Sequence, residues 1–529
     1  MDTFPRLTDD GFYLTMNAES TIAFTQSSKF PMLVKALAQL TPQVKTVVYW
    51  GEKNEEACAS AVKLGIDVYS FEEFLAIGKE NMTDARPPKA QDLCTIMYTS
   101  GTTGNPKGVE LTHESVLATV ASLIHFLNLT GEAAGENEVF FSFLPLAHIF
   151  DRTAEEMYLH LGAAIGYWRG DIKGLVEDIG ILKPTQFCGV PRVFDRIYAG
   201  VMAQVNQGSF LKRMIFNWGY KRKLDMLNAG YSFDTASPFF DKLVFSKIKE
   251  KLGGRIQLLV SGGAPLSRHV EDFLKVTMCC HVIQGYGLTE TCAGTCICVP
   301  DVPAQAGTVG PPQPCVSIRL EAVPEMNYDP LGNPPRGELC IKGPSVFEAY
   351  YKEQDKTDEV LESDGWFHSG DIAEMTPEGA IRIIDRKKNI FKLSQGEYVA
   401  VEKIEGVYKK NLLVEQIWVY GNSFESSLIA VVVPIEDKLR ALAGEHKHSG
   451  SFEELCSNKD VTKLVLNSLN ATGKEGKLKG FEMVRAIRLE TELFSVENDL
   501  MTPTFKLKRP QLQQKYQSEI DELYAKMKK

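Results

Sequence analysis

The stretch CTIMYTSGTTGNPKG, residues 94–108, runs from an apolar segment into a loop carrying three glycines, four Ser or Thr hydroxyls and one lysine. Glycines let successive backbone N–H groups turn toward one concave point, the hydroxyls add donors, and Lys107 brings a mobile positive charge. That is the chemistry of a phosphate cradle. A Walker A loop needs Gly immediately before its Lys and Ser or Thr after it. Here the neighbours are Pro106 and Gly108. The kinase-like or ATPase-like loop is therefore disfavoured, while phosphate binding is not. A Gly- and Thr-rich surface turn is the plain alternative, and the density of donors weighs against it.

Outward from this loop, β-rich runs alternate with helical patterns: KTVVYW (45–50), EEACASAVKLG (55–65), then CTIMYTS (94–100). This is the texture of βαβ units in an α/β fold. The runs RIQLLVSGG (255–263) and HVIQGYG (281–287) end in glycines, where strand C-termini of open α/β sheets face ligand crevices. Ligand-binding residues are expected directly after strands. From Val316 the texture changes: VSIRLEAV, GELCIKG and AIRIIDR are short alternating strands, suited to a small antiparallel barrel or sheet. The basic run at 386–388 marks a boundary, dividing the chain into a large domain, 1–388, and a smaller one, 389–529. The last helical pattern, 510–527, carries Leu512, Tyr516, Ile520, Leu523 and Met527 on one face. Docking onto its own domain is expected, with membrane attachment as the alternative.

The chain has 529 residues, 44% hydrophobic and 24% charged, enough for a sizeable core. A formal charge of −10 argues against nucleic acid as the main partner. Eleven cysteines show no framework spacing, which predicts reduced thiols in a cytoplasmic setting. Cys292, Cys296 and Cys298 cluster, as do Cys279 and Cys280 beside His281. A zinc site would want CxxC pairs, so buried small residues are the expected reading. No apolar run reaches spanning length; the longest, Leu428 to Val433, ends at Pro434. The chain reads as soluble or at most peripheral.

Four more motifs sit where strands end. SGGAPLS (261–267) offers small residues for stacking a flat ring. QGYGLTET (284–291) supplies Tyr286 and the pair Thr289 and Glu290, a hydroxyl and a carboxylate suited to a hard cation such as Mg²⁺. GWFHSGDIA (365–373) presents Asp371 after a glycine, suited to two ribose hydroxyls, with Arg386 able to join it. MTPTFKLKR (501–509) places Lys506 on a Thr-rich loop. Each alone is more often a cap, a turn or a solvated face.

In this order, the set resembles the adenylate-forming (AMP-binding) superfamily of acyl-CoA synthetases, 4-coumarate ligases, luciferases and peptide-synthetase adenylation domains. The resemblance covers most of residues 90–510. Within it, DGWFHSGDIAEMTPEGAIRIIDRKKNIFKLSQGEYVAVEKIE (364–405), FLPLAHIFDR (143–152) and GVPRVFDRIY (189–198) are similar to eukaryotic long-chain fatty acyl-CoA synthetases. The match begins near residues 20–35, and relatives carry a longer N-terminal region, so the chain reads as N-terminally shortened.

The resemblance implies a large adenylate-forming α/β domain with a small β-barrel subdomain, followed by an α+β C-terminal lid. It implies ligation of a fatty acid to coenzyme A in two steps. ATP first converts the carboxylate to an acyl-adenylate with release of pyrophosphate, and the thiol then displaces AMP. Carried over residue by residue, Ser100, Gly101, Thr102, Thr103, Gly104 and Lys107 would hold the β- and γ-phosphates, with Thr102 and Glu290 around Mg²⁺. Gly263, Ala264 and Tyr286 would frame adenine, with Gly285, Gly287 and Thr289 also among the cofactor-binding residues, and Asp371 and Arg386 would bind ribose. Lys506 would bridge the substrate carboxylate and the α-phosphate, with His148 beside the acyl entrance or that phosphate. Asn389 stands at the hinge position, where the wider superfamily carries Asp, and lid rotation would bring Gly396 toward the thiol tunnel. Two alternatives stand beside this reading: a CoA ligase for an aromatic or branched short acid, and a shortened nucleotide- or acyl-binding protein without turnover. The expected location is cytoplasmic, peripheral on the endoplasmic reticulum in the membrane-attached variant of the reading.

Overall fold

A computed structural model describes residues 18–38, 43–99, 106–132, 134–171, 174–395, 397–502 and 506–527. The first sheet is parallel, with β1 (Ile22–Gln26), β2 (Thr46–Trp50) and β3 (Asp67–Ser70) in that order. Its crossovers are α1 (Phe30–Leu37) and α2 (Glu55–Lys63). Asn54 caps α2 by accepting from the Ala57 N–H at 3.0 Å, and Glu55 and Glu56 occupy its first turn with Lys63 in its last, matching the helix dipole. Phe30, Val34, Val47, Ala57 and Ala61 form its core.

The expected βαβ unit reaching residues 94–100 takes a different form. Strand β4 (Leu93–Thr99) leaves that sheet and pairs antiparallel with β5 (Lys107–Thr112), Tyr98 opposite Gly108 and Thr99 opposite Lys107. Only seven residues, 100–106, join the two, too few for a parallel crossover. The strands that flank the glycine-rich segment are thus antiparallel partners.

The central sheet comprises β6 (Val139–Ser142), β7 (Ala164–Tyr167), β8 (Gln186–Gly189), β9 (Leu258–Ser261), β10 (His281–Tyr286) and β11 (Cys296–Ile297), ordered β11-β10-β9-β8-β6-β7. Every pair but β10·β11 is parallel. Successive residues point to opposite faces. Phe140, Leu258 and Ile283 pack on α3 (His113–Thr130) and α4 (Ile149–His160). Phe141, Leu259 and Val282 pack on α5 (Pro191–Gln207), α6 (Phe210–Asn228) and α7 (Arg268–Met278). Because the strands run parallel, the segments after β6, β8, β9 and β10 emerge along one edge.

A four-stranded antiparallel sheet follows: β12 (Ser317–Glu321), β13 (Arg336–Lys342), β14 (Phe367–Met375) and β15 (Ile381–Arg386). It shares a core with the β4–β5 hairpin through Met97, Val109, Leu339, Ile341, Phe367 and Ile381. Beyond it, β16 (Ile390–Lys392) pairs with β17 (Tyr398–Ala400), which leads into α8 (Val401–Tyr408). The last sheet is β18 (Val414–Tyr420), β19 (Leu428–Pro434) and β20 (Val484–Leu489), with α9 (Lys459–Glu475) before β20 and α10 (Arg509–Met527) closing the chain.

Strand β19 is buried at every position. Leu428, Ala430 and Val432 face α8 and α9, while Ile429, Val431 and Val433 face α10. Leu512, Tyr516, Ile520 and Tyr524 of α10 are buried there, with Leu523 and Met527 packed alongside. The apolar face of the last helix is therefore covered by its own sheet, as the docking reading expects. Among the described residues, no helix is long and apolar enough to cross a membrane. All eleven cysteines are free thiols, and Cys292, Cys296 and Cys298 are buried. His281 pairs instead with Glu132 at 3.0 Å.

Candidate active site

One cleft runs along the strand-end edge of the central sheet, between it, the antiparallel sheet and the C-terminal segments. At its centre β10 ends in Gly285-Tyr286-Gly287. A Cβ on Gly287 would lie 1.9 Å from the Ala293 carbonyl oxygen, so only glycine permits the chain to double back there. The turn Thr289–Thr291 that follows lines the cleft with Thr289 and Glu290. The Glu290 carboxylate accepts a hydrogen bond from the Tyr350 hydroxyl at 2.8 Å. On the same ring, Lys107 Nζ lies 4.2 Å from the centroid, a cation–π contact. Tyr350 thus places the lysine at the root of the glycine-rich hairpin beside the carboxylate at the end of β10.

Sheet register brings together Asp371 and Arg386, the two residues expected at the ribose. Asp371 of β14 lies opposite Arg386 of β15, and Arg386 Nε approaches Asp371 Oδ1 at 3.4 Å. From the central sheet, the Tyr286 hydroxyl donates to Asp371 Oδ2 at 2.5 Å. Burial pushes the Asp371 carboxyl above its usual range, against the pull of Arg386 and Tyr286. These residues, 85 positions apart for Tyr286 and Asp371, meet only because two sheets abut.

After β9, Gly263 adopts φ +81° and lines the cleft with Ala264. A Cβ at Gly263 would meet only Val190, at 3.8 Å, so the positive φ rather than crowding calls for glycine. His148 follows β6 and caps α4, its Nδ1 accepting from the Phe150 N–H at 3.3 Å. Burial first, then the nearby Lys506 charge, lower the His148 pKa to about 4. At neutral pH the ring is an uncharged acceptor. Lys506 lines the same cleft. Its backbone N–H bonds Thr502 Oγ1 at 3.0 Å, and its side chain reaches the solvent inside the cleft. The enclosing walls and Arg386 lower its pKa, with Asp371, Glu402 and Glu290 acting the other way. The ammonium therefore shares one electrostatic environment with His148, Asp371, Arg386 and Glu290.

Ser100, Gly101, Thr102, Thr103, Gly104 and Gly396 lie outside the described residues. Glu290 is the described member of the expected Mg²⁺ pair. Its donor chemistry fits, since Mg²⁺ is held through one or two carboxylates plus substrate phosphates. Among the described residues, the one His/Cys/carboxylate group close enough to share a metal is Glu321, Cys340 and His368, where Arg319 already pairs with Glu321.

Sequence reasoning missed Tyr350, whose segment FEAYYKEQ carries no motif signal. It also missed the contacts around the hinge position. Asn389 Nδ2 donates to Glu402 Oε1 at 2.8 Å, and Asp385 accepts from the backbone N–H groups of Arg386 at 2.7 Å and Glu402 at 3.0 Å. Burial and the Glu402 charge raise Asp385 to about 7. Arg509 holds both Glu405 oxygens at 2.9 Å.

The family model "AMP-binding enzyme" matches residues 7–351, so the match begins earlier than residues 20–35. Long chain acyl-CoA synthetase 4 of Arabidopsis thaliana is 50% identical over 512 residues, 97% of this chain and 77% of that protein. Long-chain-fatty-acid–CoA ligase 1 of Cavia porcellus is 42% identical over 98% of this chain and 73% of that protein. Among solved structures, the A domain of carboxylic acid reductase from Segniliparus rugosus, in complex with AMP and a co-purified carboxylic acid, superposes with a TM-score of 0.77. It is 26% identical and covers 98% of this chain and 77% of that one. By its strand-end site, its family match and relatives this similar over nearly its whole length, the chain belongs to the AMP-binding enzyme family, in the branch of the long-chain acyl-CoA synthetases.

Proposed function

We propose that this protein is an ATP-dependent long-chain fatty acid:CoA ligase that forms an acyl-adenylate and then the thioester. The observation that carries this reading is the convergence of Lys107, Glu290, Tyr286, Asp371, Arg386 and Lys506 in one cleft of a chain half identical to a long chain acyl-CoA synthetase. A carboxylate is a poor acyl donor because its leaving group would be oxide. Attack of the carboxylate oxygen on the α-phosphorus joins the acyl group to AMP and expels pyrophosphate.

Charge positioning does most of the work in such a transfer. Lys107 and the hydroxyls of the 100–104 loop hold the β- and γ-phosphates. Lys506 offsets the repulsion between the approaching carboxylate and the α-phosphate. Asp371 accepts hydrogen bonds from the ribose hydroxyls, kept in place by Tyr286 and Arg386. Gly263, Ala264 and Tyr286 border the adenine, and neutral His148 faces the reacting groups as a hydrogen-bonding partner rather than as a second charge. Mg²⁺, held by Glu290 and Thr102, would neutralise phosphate charge. Residues 389–529 act as a lid pivoting at Asn389, which withdraws Lys506 after adenylation and admits the thiol of coenzyme A. The Asn389–Glu402 and Asp385–Glu402 contacts support a pivot there.

The test is AMP formation by the purified protein from palmitate, ATP, Mg²⁺ and coenzyme A, set against a panel of aromatic and branched short acids. Turnover with long-chain acids is expected. Turnover confined to the short acids would replace the substrate class, and ATP binding without AMP release would make the protein a binder.

A further inference from the structure

The antiparallel sheet turns one face to its apolar core. Leu320, Leu339 and Ile341 pack there, so alternation along the strands sends Arg319, Glu321, Glu338 and Cys340 to the opposite face. Register gathers them. Arg319 lies opposite Cys340 and Glu321 opposite Glu338 across β12 and β13, and Cys340 lies opposite His368 across β13 and β14. Three different donors, the Glu321 carboxylate, the Cys340 thiol and the His368 imidazole, thereby place ligand atoms all within 4.8 Å of one another. The ligase chemistry uses none of them.

Cys340 Sγ is 3.5 Å from His368 Nδ1, and Glu321 Oε2 is 3.8 Å from the same nitrogen. Zinc bonds of about 2.3 Å to sulfur, 2.0 Å to imidazole and 2.1 Å to carboxylate, at tetrahedral angles, set those atom pairs roughly 3.5 Å and 3.3 Å apart. The sulfur–nitrogen edge already has that length. Glu321, with its side chain 36% exposed, closes the other by a small rotation. The second imidazole nitrogen, Nε2, donates to Glu362 Oε1 at 2.8 Å, which leaves Nδ1 its lone pair; a carboxylate in that position is what stands behind metal-bound histidines. Arg319 pairs with Oε1 of Glu321 and with Glu362, its guanidinium carbon 4.4 Å from the Trp366 ring centroid, while Glu321 Oε2 is the oxygen nearer the histidine. Arg319 also neighbours Cys340 and so competes with a cation for its sulfur. With Cys340 as a thiolate, Glu321, Glu338, Glu362 and Cys340 set four negative charges against Arg319 and Lys387, the latter 3.0 Å from Glu338. One divalent cation balances the group.

We propose that Glu321, Cys340 and His368 form a binding site for Zn²⁺, with water as the fourth ligand. Thiolate and imidazole together suit zinc, whereas Mg²⁺ takes oxygen ligands, so this site is separate from the magnesium position expected at Glu290. Cys340 binds as the thiolate and releases its proton to solvent. Glu321, Glu338 and His368 line the cleft, which gives the ion its entry. Once bound, it ties β12 and β13 to the start of β14, the strand that carries Asp371.

The untagged full-length protein is titrated with Co²⁺, then with Zn²⁺, in excess Mg²⁺ and without ATP or fatty acid, so the outcome stands apart from the ligase reading. A thiolate-to-cobalt charge-transfer absorption that saturates at a single Co²⁺ per chain and disappears as Zn²⁺ displaces it is expected. Cys340→Ser should abolish that absorption, and Glu321→Gln and His368→Gln should each weaken binding. Glu362→Gln, which removes only the support behind the histidine, should weaken it by roughly 10–100-fold. Arg319→Gln, which removes the competing cation, should tighten it. Variants are compared where their metal-free melts are as cooperative as the parent's, and the partly exposed Glu321 and Glu362 supply the comparison should Cys340→Ser not fold. Absence of the thiolate absorption overturns the proposal, as does its persistence in Cys340→Ser, which would assign the metal to another thiol. Equal affinity in the parent and in Glu321→Gln overturns it too.

Discussion

Replacing Tyr286 with phenylalanine removes a single hydroxyl, the donor 2.5 Å from Asp371 Oδ2, and leaves Arg386 at 3.4 Å on the other oxygen. A hydrogen bond to a charged group contributes roughly 1.5–3 kcal/mol, and one pKa unit corresponds to about 1.4 kcal/mol. Burial already holds the Asp371 carboxyl above its ordinary value, and Tyr286 is one of the groups that restrain it. Without the hydroxyl its pKa climbs further. A protonated Asp371 presents one donor and loses part of its capacity to accept from two ribose hydroxyls. The acid limb of kcat/KM for ATP should therefore move to higher pH, with a loss on the acid side of roughly 10–100-fold from the missing hydrogen bond and near-parental activity at alkaline pH. Pyrophosphate exchange measured from pH 5 to 9 reads this directly. An acid limb at the parental position, or a uniform loss at every pH, would refute the reasoning; the latter would mean that the hydroxyl acts on the nucleotide rather than through Asp371.

Lys506→Ala should lower acyl-adenylate formation by roughly 10²–10³-fold, the loss typical of a removed electrostatic donor, while thioester formation from added acyl-adenylate stays near parental; equal loss in both half-reactions would contradict a role confined to the first. Asp151, fully buried with one oxygen unpartnered, is raised to about 7, chiefly by burial. Its contribution to stability is thus complete below pH 4 and is lost as pH rises through 7. At about 1.4 kcal/mol per pKa unit, this amounts to a decline on the order of 4 kcal/mol, and Asp151→Asn should flatten it in denaturant titrations; identical slopes in both proteins would dismiss the assignment. Leu512→Ala, in the core beneath α10, should cost about 2–5 kcal/mol without altering adenylation by the protein that remains folded.

Where neighbouring residues alone dictate a conformation, the sequence was sufficient. The all-apolar run of β19 needs cover on both faces and finds it. The apolar stripe of α10 is legible because its residues recur every three or four positions, and they stay on one buried side although the backbone kinks at Tyr516. The glycines and lysine of 98–108 read as a phosphate cradle from composition alone, an expectation that falls on Ser100 to Gly104, outside the described residues. The alternating runs after Val316 announce an antiparallel sheet. The βαβ texture misled at β4, because a local pattern of strands and helices does not state which strand pairs with which.

What local pattern could not supply was simultaneity. Tyr350 carries no motif, yet it joins Lys107 to Glu290, because the β4–β5 hairpin and the antiparallel sheet close one core. Glu402 and Asp385 look like ordinary charges until β15 and α8 bring them together. The residue order determined the chemistry available and the periodicity of each element, since both depend on near neighbours. Tertiary structure decided which charges share a low-dielectric cleft and which apolar faces remain uncovered, because these depend on contacts between residues tens to hundreds of positions apart.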